Sequence, residues 1–161
     1  MNSLDIYSKT NPVLCSLIIW SFIQGYEDEN DKGVEMPLIF IILPLIMTKK
    51  YRTSFKKTNK LTGFYKWIDN NPQVLNMLSD RLINTTQITK SALRFGVATS
   101  VFDFSKDGTI RHSFKGFKKK PQFKLDENNV AEMVVNSKRL GAWCGKIGNS
   151  REILERLKVI K

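Results

Sequence analysis

Apolar and polar residues alternate along the chain in runs that predict mainly helices. Asn11-Pro12 is typical of a helix start, because an Asn side chain caps the first amides and Pro suits the first turn. The residues that follow would form a helix that is apolar on nearly every side, which predicts that it is enclosed by other parts of the protein. Gly25 is the predicted end of this helix. The length of residues 37–47 predicts a second buried helix, whereas their Ile-rich content would also suit a strand; Pro44 would kink the helix or interrupt the strand.

Neither apolar run predicts a membrane span. The first contains Ser16, Ser21 and Gln24, and the second is shorter than the about 20 apolar residues that a bilayer requires. Residues 27–31, Glu-Asp-Glu-Asn-Asp, predict an exposed acidic loop between them. We therefore expect a cytoplasmic protein without membrane contact, with a membrane hairpin as the less favoured alternative.

The middle of the chain predicts a basic loop, several short helices and a β-hairpin. Residues 49–60 are expected to form the loop, and residues 62–69 a short helix. Helical spacing over 74–83 and 88–99, interrupted at Thr85-Thr86, predicts two helices, the second with Ala92, Leu93 and Val97 on its inner side. Lys106-Asp107-Gly108 is typical of a hairpin turn between residues 102–104 and 109–114.

Two further helices are predicted at the C-terminal end. Asp126 is the expected cap of the first, whose buried face includes Ser137, Gly141 and Cys144 at helical spacing. Asn149 followed by Glu152 resembles a capping box and predicts the start of the second.

This order of elements predicts a mainly α fold, with residues 1–161 as a single compact domain. Within it, residues 71–114 are expected to form a winged helix-turn-helix-like module whose wing is the one β-hairpin, followed by the two C-terminal helices. In that arrangement Gln87, Lys90 and Arg94 share the exposed face of the helix that would enter a DNA groove. Lys106 would lie at the tip of the wing and Arg111 on one of its strands.

The positive charge is concentrated in the middle of the chain. The net charge is +11, and its distribution is −4 over residues 1–48, +13 over 49–124 and +2 over 125–161. Aromatic residues lie among the cations, a combination that suits a polyanion with stackable bases. The alternatives are an acidic protein partner and a merely solvated surface. The candidate nucleic-acid-binding residues are Lys49, Lys50, Arg52, Lys56, Lys57, Lys90, Arg94, Lys106, Arg111, Lys115, Lys118, Lys119 and Lys120.

The residues that carry enzyme chemistry are sparse. The single histidine, His112, has no neighbour in sequence that would make it a general base, and we expect it at the surface. Cys15 and Cys144 are expected to be small buried hydrophobes. The sequence contains neither GxxxxGK[ST] nor GxGxxG. We therefore expect no catalytic residue, metal or cofactor.

Several segments, taken in order, resemble the middle component of bacterial three-component ABC-ATPase systems. The resemblance spans nearly the whole chain and depends on scattered apolar, glycine and aromatic positions. Its segments are Asn11-Pro12, Leu17 to Phe22, Gly25-Tyr26, Leu43-Pro44-Leu45, Tyr51-Arg52-Thr53 before Trp67, Leu93-Arg94-Phe95-Gly96 and Leu140-Gly141-Ala142-Trp143.

The resemblance implies a non-enzymatic adaptor in a prokaryotic anti-phage system. Its partners would be an SMC- or RecN-like ABC ATPase and an effector on separate chains, and contact with DNA is also expected. The first helix, with Trp20, Phe22 and Tyr26, is the expected anchor for a partner or for the core. The main alternative is a stand-alone winged-helix transcription regulator, and a weaker one is an inhibitor or structural protein that binds an acidic partner.

Overall fold

The computed structural model describes residues 11–113 and 127–161, and they form a mainly helical fold, as predicted. The helices are α1 (Pro12–Glu29), α2 (Met36–Met47), α3 (Lys49–Arg52), α4 (Phe64–Asn70), α5 (Leu78–Ala98), α6 (Glu127–Ile147) and α7 (Ser150–Arg156). The strands are β1 (Val34–Glu35), β2 (Phe102–Phe104) and β3 (Thr109–His112). Short 3-10 helices span Thr53–Phe55 and Pro72–Leu75.

Helix α1 begins where the sequence predicts but ends later. The Asn11 side chain accepts hydrogen bonds from the amides of Val13 at 2.9 Å and Leu14 at 3.4 Å. The prediction that Gly25 ends the helix was wrong, because Gly25 is buried against α6 and the helix continues to Glu29. The acidic residues 27–29 therefore belong to the last turn of a helix and not to a loop.

The backbones of α1 and α6 approach each other closely at glycines. A Cβ atom on Gly141 would lie 2.9 Å from the carbonyl carbon of Phe22, and one on Gly145 would lie 2.5 Å from the carbonyl oxygen of Tyr26. One turn earlier, the Ser137 hydroxyl donates a hydrogen bond to the carbonyl oxygen of Ile18 at 2.7 Å. The contacting residues follow the same order along both helices, so α1 and α6 run parallel at the centre of the core.

Helix α5 is one continuous helix of 21 residues where the sequence predicts two. Thr85 and Thr86 do not interrupt it, because both hydroxyls donate to the Leu82 carbonyl oxygen, at 3.2 and 2.9 Å, and so are satisfied inside the helix. The predicted turn, and with it the helix-turn-helix arrangement within 71–114, was wrong. Lys90 and Arg94 lie on the exposed face of this helix, as does Gln87.

The predicted β-hairpin is present, and a third strand joins it. Asp107 stabilises the turn by accepting hydrogen bonds from the Thr109 amide at 3.0 Å and from its hydroxyl at 2.7 Å. Gly108 has φ +83°, a backbone conformation that glycine adopts without strain. Strand β1, which the sequence analysis missed, pairs antiparallel with β3 through Val34 and Ile110, giving the order β1-β3-β2.

The segment predicted as a basic loop is partly helical and is anchored in the core. Its Tyr51 and Phe55 are buried, and the Phe55 ring stacks on Trp143 at 5.9 Å between centroids. The Trp143 indole N–H donates to the carbonyl oxygens of Asn59 at 3.1 Å and Lys60 at 3.2 Å. Residues 55–60 are therefore held against α6, while the lysines of residues 49–60 are exposed.

The C-terminal helices are confirmed. Helix α6 buries the predicted face, including Ser137, Leu140 and Cys144. Helix α7 begins at the predicted cap, where the Asn149 side chain accepts from the Glu152 amide at 3.1 Å. The predicted cap Asp126 lies outside the described residues.

Candidate interaction surfaces

The candidate nucleic-acid-binding residues lie on several parts of the surface. Lys49, Lys50, Lys56 and Lys57 are exposed in or just after α3, and Arg52 is half-buried. Lys90 and Arg94 are exposed on α5, and Lys106 is exposed at the hairpin turn. Lys115, Lys118, Lys119 and Lys120 lie outside the described residues.

Two residues of the first group, Lys49 and Lys50, border a groove between α2, α3 and α5, called here the basic groove. Its volume is about 380 Å³. Arg81 of α5 also lines it, a residue that sequence reasoning missed because it stands alone in the sequence, far from any basic cluster. Among the described residues that line the groove, none carries a carboxylate. Its lining residues are Leu43, Met47, Thr48, Lys49, Lys50, Arg81, Asn84, Thr85 and Ile88.

Arg81 is positioned by a buried tyrosine. Its guanidinium carbon lies 5.4 Å from the centroid of the Tyr51 ring, a cation–π arrangement. The Tyr51 hydroxyl donates a hydrogen bond to the Asn76 carbonyl oxygen, which holds the ring in place. The Nε atom of Arg81 is buried and has no hydrogen-bond acceptor among the residues that the structure describes.

His112, which was expected at the surface, is half-buried and is engaged with an acidic residue of α1. Its Nδ1 atom contacts the Glu27 carboxylate, and its ring packs edge-on against Trp20 at 6.4 Å between centroids. Arg111 lies 3.7 Å from the same carboxylate and donates a hydrogen bond to the Asp31 carbonyl oxygen. These contacts tie β3 to the end of α1 and engage Arg111 within the chain.

An apolar surface patch lies where α5 meets the hairpin. Val97 was predicted on the inner side of its helix, but it is 44% exposed, and Phe104 is 48% exposed. Together with Leu93, Arg94 and Ala98 they border a shallow space of about 360 Å³. We call this the α5 apolar patch.

Of the three predicted partner-binding residues, the structure leaves one accessible. Phe22 and Tyr26 are 0% and 2% exposed, since α6 packs over both. Trp20 is half-buried and lines a groove of about 540 Å³ between α1, α6 and residues 59–60. Val135, which is 53% exposed, lies in the same groove, together with Asp28 and Lys138. We call it the Trp20 groove.

The two cysteines are buried, as predicted. Burial raises the pKa of the Cys15 thiol to about 12 and raises the pKa of Cys144 well above its ordinary value. Both thiols are thus protonated at neutral pH, which makes them poor nucleophiles.

Over residues 11–113 and 127–161, no group of three His, Cys, Asp or Glu side chains is placed to hold a metal ion. None of the helices described above combines the length and the hydropathy that crossing a bilayer requires.

One protein family matches nearly the whole chain. The model of a family described as ABC-three component (ABC-3C) system Middle Component 3 matches residues 3–161. No curated protein and no solved structure matches the chain significantly.

Proposed function

Since the chain belongs to the Middle Component 3 family of ABC-three component systems, as the resemblance in its sequence indicated, we propose that it is a non-enzymatic adaptor. It would join an SMC- or RecN-like ABC ATPase to an effector in a prokaryotic anti-phage defence system. The observation that carries this proposal is the extent of the family match, which leaves only residues 1 and 2 outside it.

The surface of the chain supports a role in binding two proteins. An adaptor requires two sites that do not compete, and the Trp20 groove and the α5 apolar patch share no residue. Each combines accessible apolar side chains with charged neighbours, a composition that suits the binding of a protein partner. We assign the Trp20 groove to one of the two partners.

Bridging is tested by co-purification of the three components. With a tag on the ATPase, the effector is expected in the purified complex only when this chain is co-expressed. Trp20→Asp is expected to reduce recovery of the complex roughly tenfold or more, because the charge would be desolvated in the interface. Ile83→Asp, which puts the same charge on a 69% exposed position outside both surfaces, is the matched control.

One result would contradict the adaptor proposal, and another would contradict the assignment of the Trp20 groove. The first is an effector that binds the ATPase equally well without this chain. The second is equal loss of the complex in the Trp20 and Ile83 variants, which would exclude the Trp20 groove as the partner site.

We further propose that the chain contacts DNA through its exposed cations. The observation in support is the net charge of +13 over residues 49–124, whose described lysines lie mainly at the surface. The stand-alone regulator alternative depended on a helix-turn-helix that residues 78–98 do not form, so DNA contact is proposed here as part of the adaptor role.

The exposed face of α5 provides one test of DNA contact. Lys90→Ala with Arg94→Ala is expected to weaken binding and to lower the slope of log affinity against log salt by about two, one for each lost phosphate contact. Fluorescence anisotropy across a salt series measures both quantities. An unchanged slope would exclude this face of α5 from the DNA contact.

A further inference from the structure

The basic groove combines three cations with a partly apolar lining. Lys49 and Lys50 come from α3 and Arg81 from α5, while Leu43, Met47 and Ile88 lie among them. None of the three cations forms an ion pair within the described part of the chain, whereas Lys60 and Lys138 pair with acidic residues of α1. The positive charges of the groove are therefore available to a negatively charged ligand.

We infer that the basic groove binds phosphate groups of a nucleic-acid backbone, an inference that rests on the proposed DNA contact and locates it. The Arg81 guanidinium is held over Tyr51, so less side-chain freedom is lost when it binds a ligand. Its buried Nε–H has no acceptor among the described residues, so no carboxylate there offsets the guanidinium charge through this group.

The arrangement of the groove favours a phosphate backbone over a specific base sequence. Two adjacent lysines act as point charges that recognise phosphate without reading base edges, and the arginine adds a planar donor pair that matches two phosphate oxygens. The apolar lining residues let a sugar approach while the three cations contact the phosphates. Binding in this groove is therefore independent of sequence and strongly dependent on salt.

The test compares two triple variants with equal change in charge. Lys49→Gln, Lys50→Gln and Arg81→Gln neutralise the groove, while Lys66→Gln, Lys146→Gln and Lys161→Gln neutralise three exposed lysines that do not line it. The probes are labelled single-stranded DNA and labelled duplex DNA, each at several salt concentrations. Polyglutamate serves as a competitor that presents carboxylates in place of phosphates.

The groove variant is expected to bind at least one of the two DNA probes roughly 10- to 100-fold more weakly at low salt, with a salt slope lower by about three. The control variant is expected to change affinity by less than about threefold. Whichever probe loses more affinity identifies the strand form that occupies the groove. Circular dichroism measures the thermal unfolding of the two variants. Equal unfolding temperatures would show that the loss of DNA affinity is not caused by a loss of folding.

Three results would overturn the inference. Equal loss in both variants would show that net charge, and not the groove, carries binding. Unchanged DNA affinity in the groove variant would exclude the groove as the site. If polyglutamate displaces DNA from the wild-type chain but not from the groove variant, the groove recognises carboxylates, as a docking site for an acidic protein would.

Failure of this inference is distinguishable from failure of the adaptor proposal. The groove variant is expected to keep the effector attached to the ATPase in the co-purification assay. If it loses that bridging while its DNA affinity is unchanged, the adaptor stands and the groove assignment is wrong. If it loses DNA affinity as expected while the wild-type chain does not bridge, the groove assignment stands and the adaptor proposal is wrong.

Discussion

Gly141→Ala is expected to lower the free energy of unfolding by about 3 kcal/mol or more, although it adds a single methyl group. The reason is the close approach of α1 and α6. The new Cβ would lie 2.9 Å from the carbonyl carbon of Phe22 and 3.0 Å from the amide nitrogen of Tyr26, and both are backbone atoms of a buried helix. Neither atom is the end of a flexible side chain, so the helices themselves must separate. Chemical denaturation followed by circular dichroism measures the change.

A control on the same helix separates this clash from general effects of added bulk. Ala131 is exposed on α6, so Ala131→Leu adds more atoms while keeping high helix propensity, and it is expected to change stability by less than about 0.5 kcal/mol. Equal stability of the Gly141 variant and the wild-type chain would show that the two helices are not packed at this glycine.

Phe22→Asp is expected to abolish folding of the isolated chain, whereas Trp20→Asp is expected to leave it folded. Phe22 is fully buried, and an unpaired carboxylate there costs about 4 kcal/mol or more, a large part of the stability of a typical domain. Trp20 is half-buried at the rim of a groove, so a carboxylate in its place stays partly hydrated. Near- and far-ultraviolet circular dichroism of the two purified variants makes the comparison.

Co-purification with the ATPase then compares complex formation by the Trp20 and Phe22 variants. The Trp20 variant is expected to be folded but deficient in complex formation, while the Phe22 variant is deficient in both. A folded Phe22 variant that still forms the complex would contradict the burial of α1 against α6.

Features that depend on neighbours in the sequence were predictable from the sequence alone. The Asn11 and Asn149 caps are examples, because each side chain bonds amides only two or three residues away. The same holds for the hairpin turn at Gly108, whose positive φ favours glycine, and for the buried face of α6, which follows from helical periodicity. The family resemblance, which depended on scattered apolar, glycine and aromatic positions, is confirmed over nearly the whole chain.

Features that depend on distant contacts were not predictable. A glycine after an apolar run either ends a helix or allows another helix to approach, and only the presence of α6 decides that Gly25 does the second. Strand β1 has two residues and exists because β3 supplies its hydrogen-bond partners. The Lys-rich segment after α2 was expected to form a loop, yet Tyr51 and Phe55 bury their rings against residues far along the chain.

The candidate functional residues likewise divide into those that the sequence predicts and those that only the folded structure shows. The sequence by itself determined the fold class, the family, the excess of positive charge in the middle of the chain and several residues that carry it. The tertiary structure alone decided that Phe22 and Tyr26 are core residues, that Arg111 and His112 are engaged with Glu27, and that Arg81 lines the same groove as Lys49 and Lys50. The physical reason is range: caps, turns and periodicity act over a few residues, whereas burial and grooves arise from residues that only folding brings together.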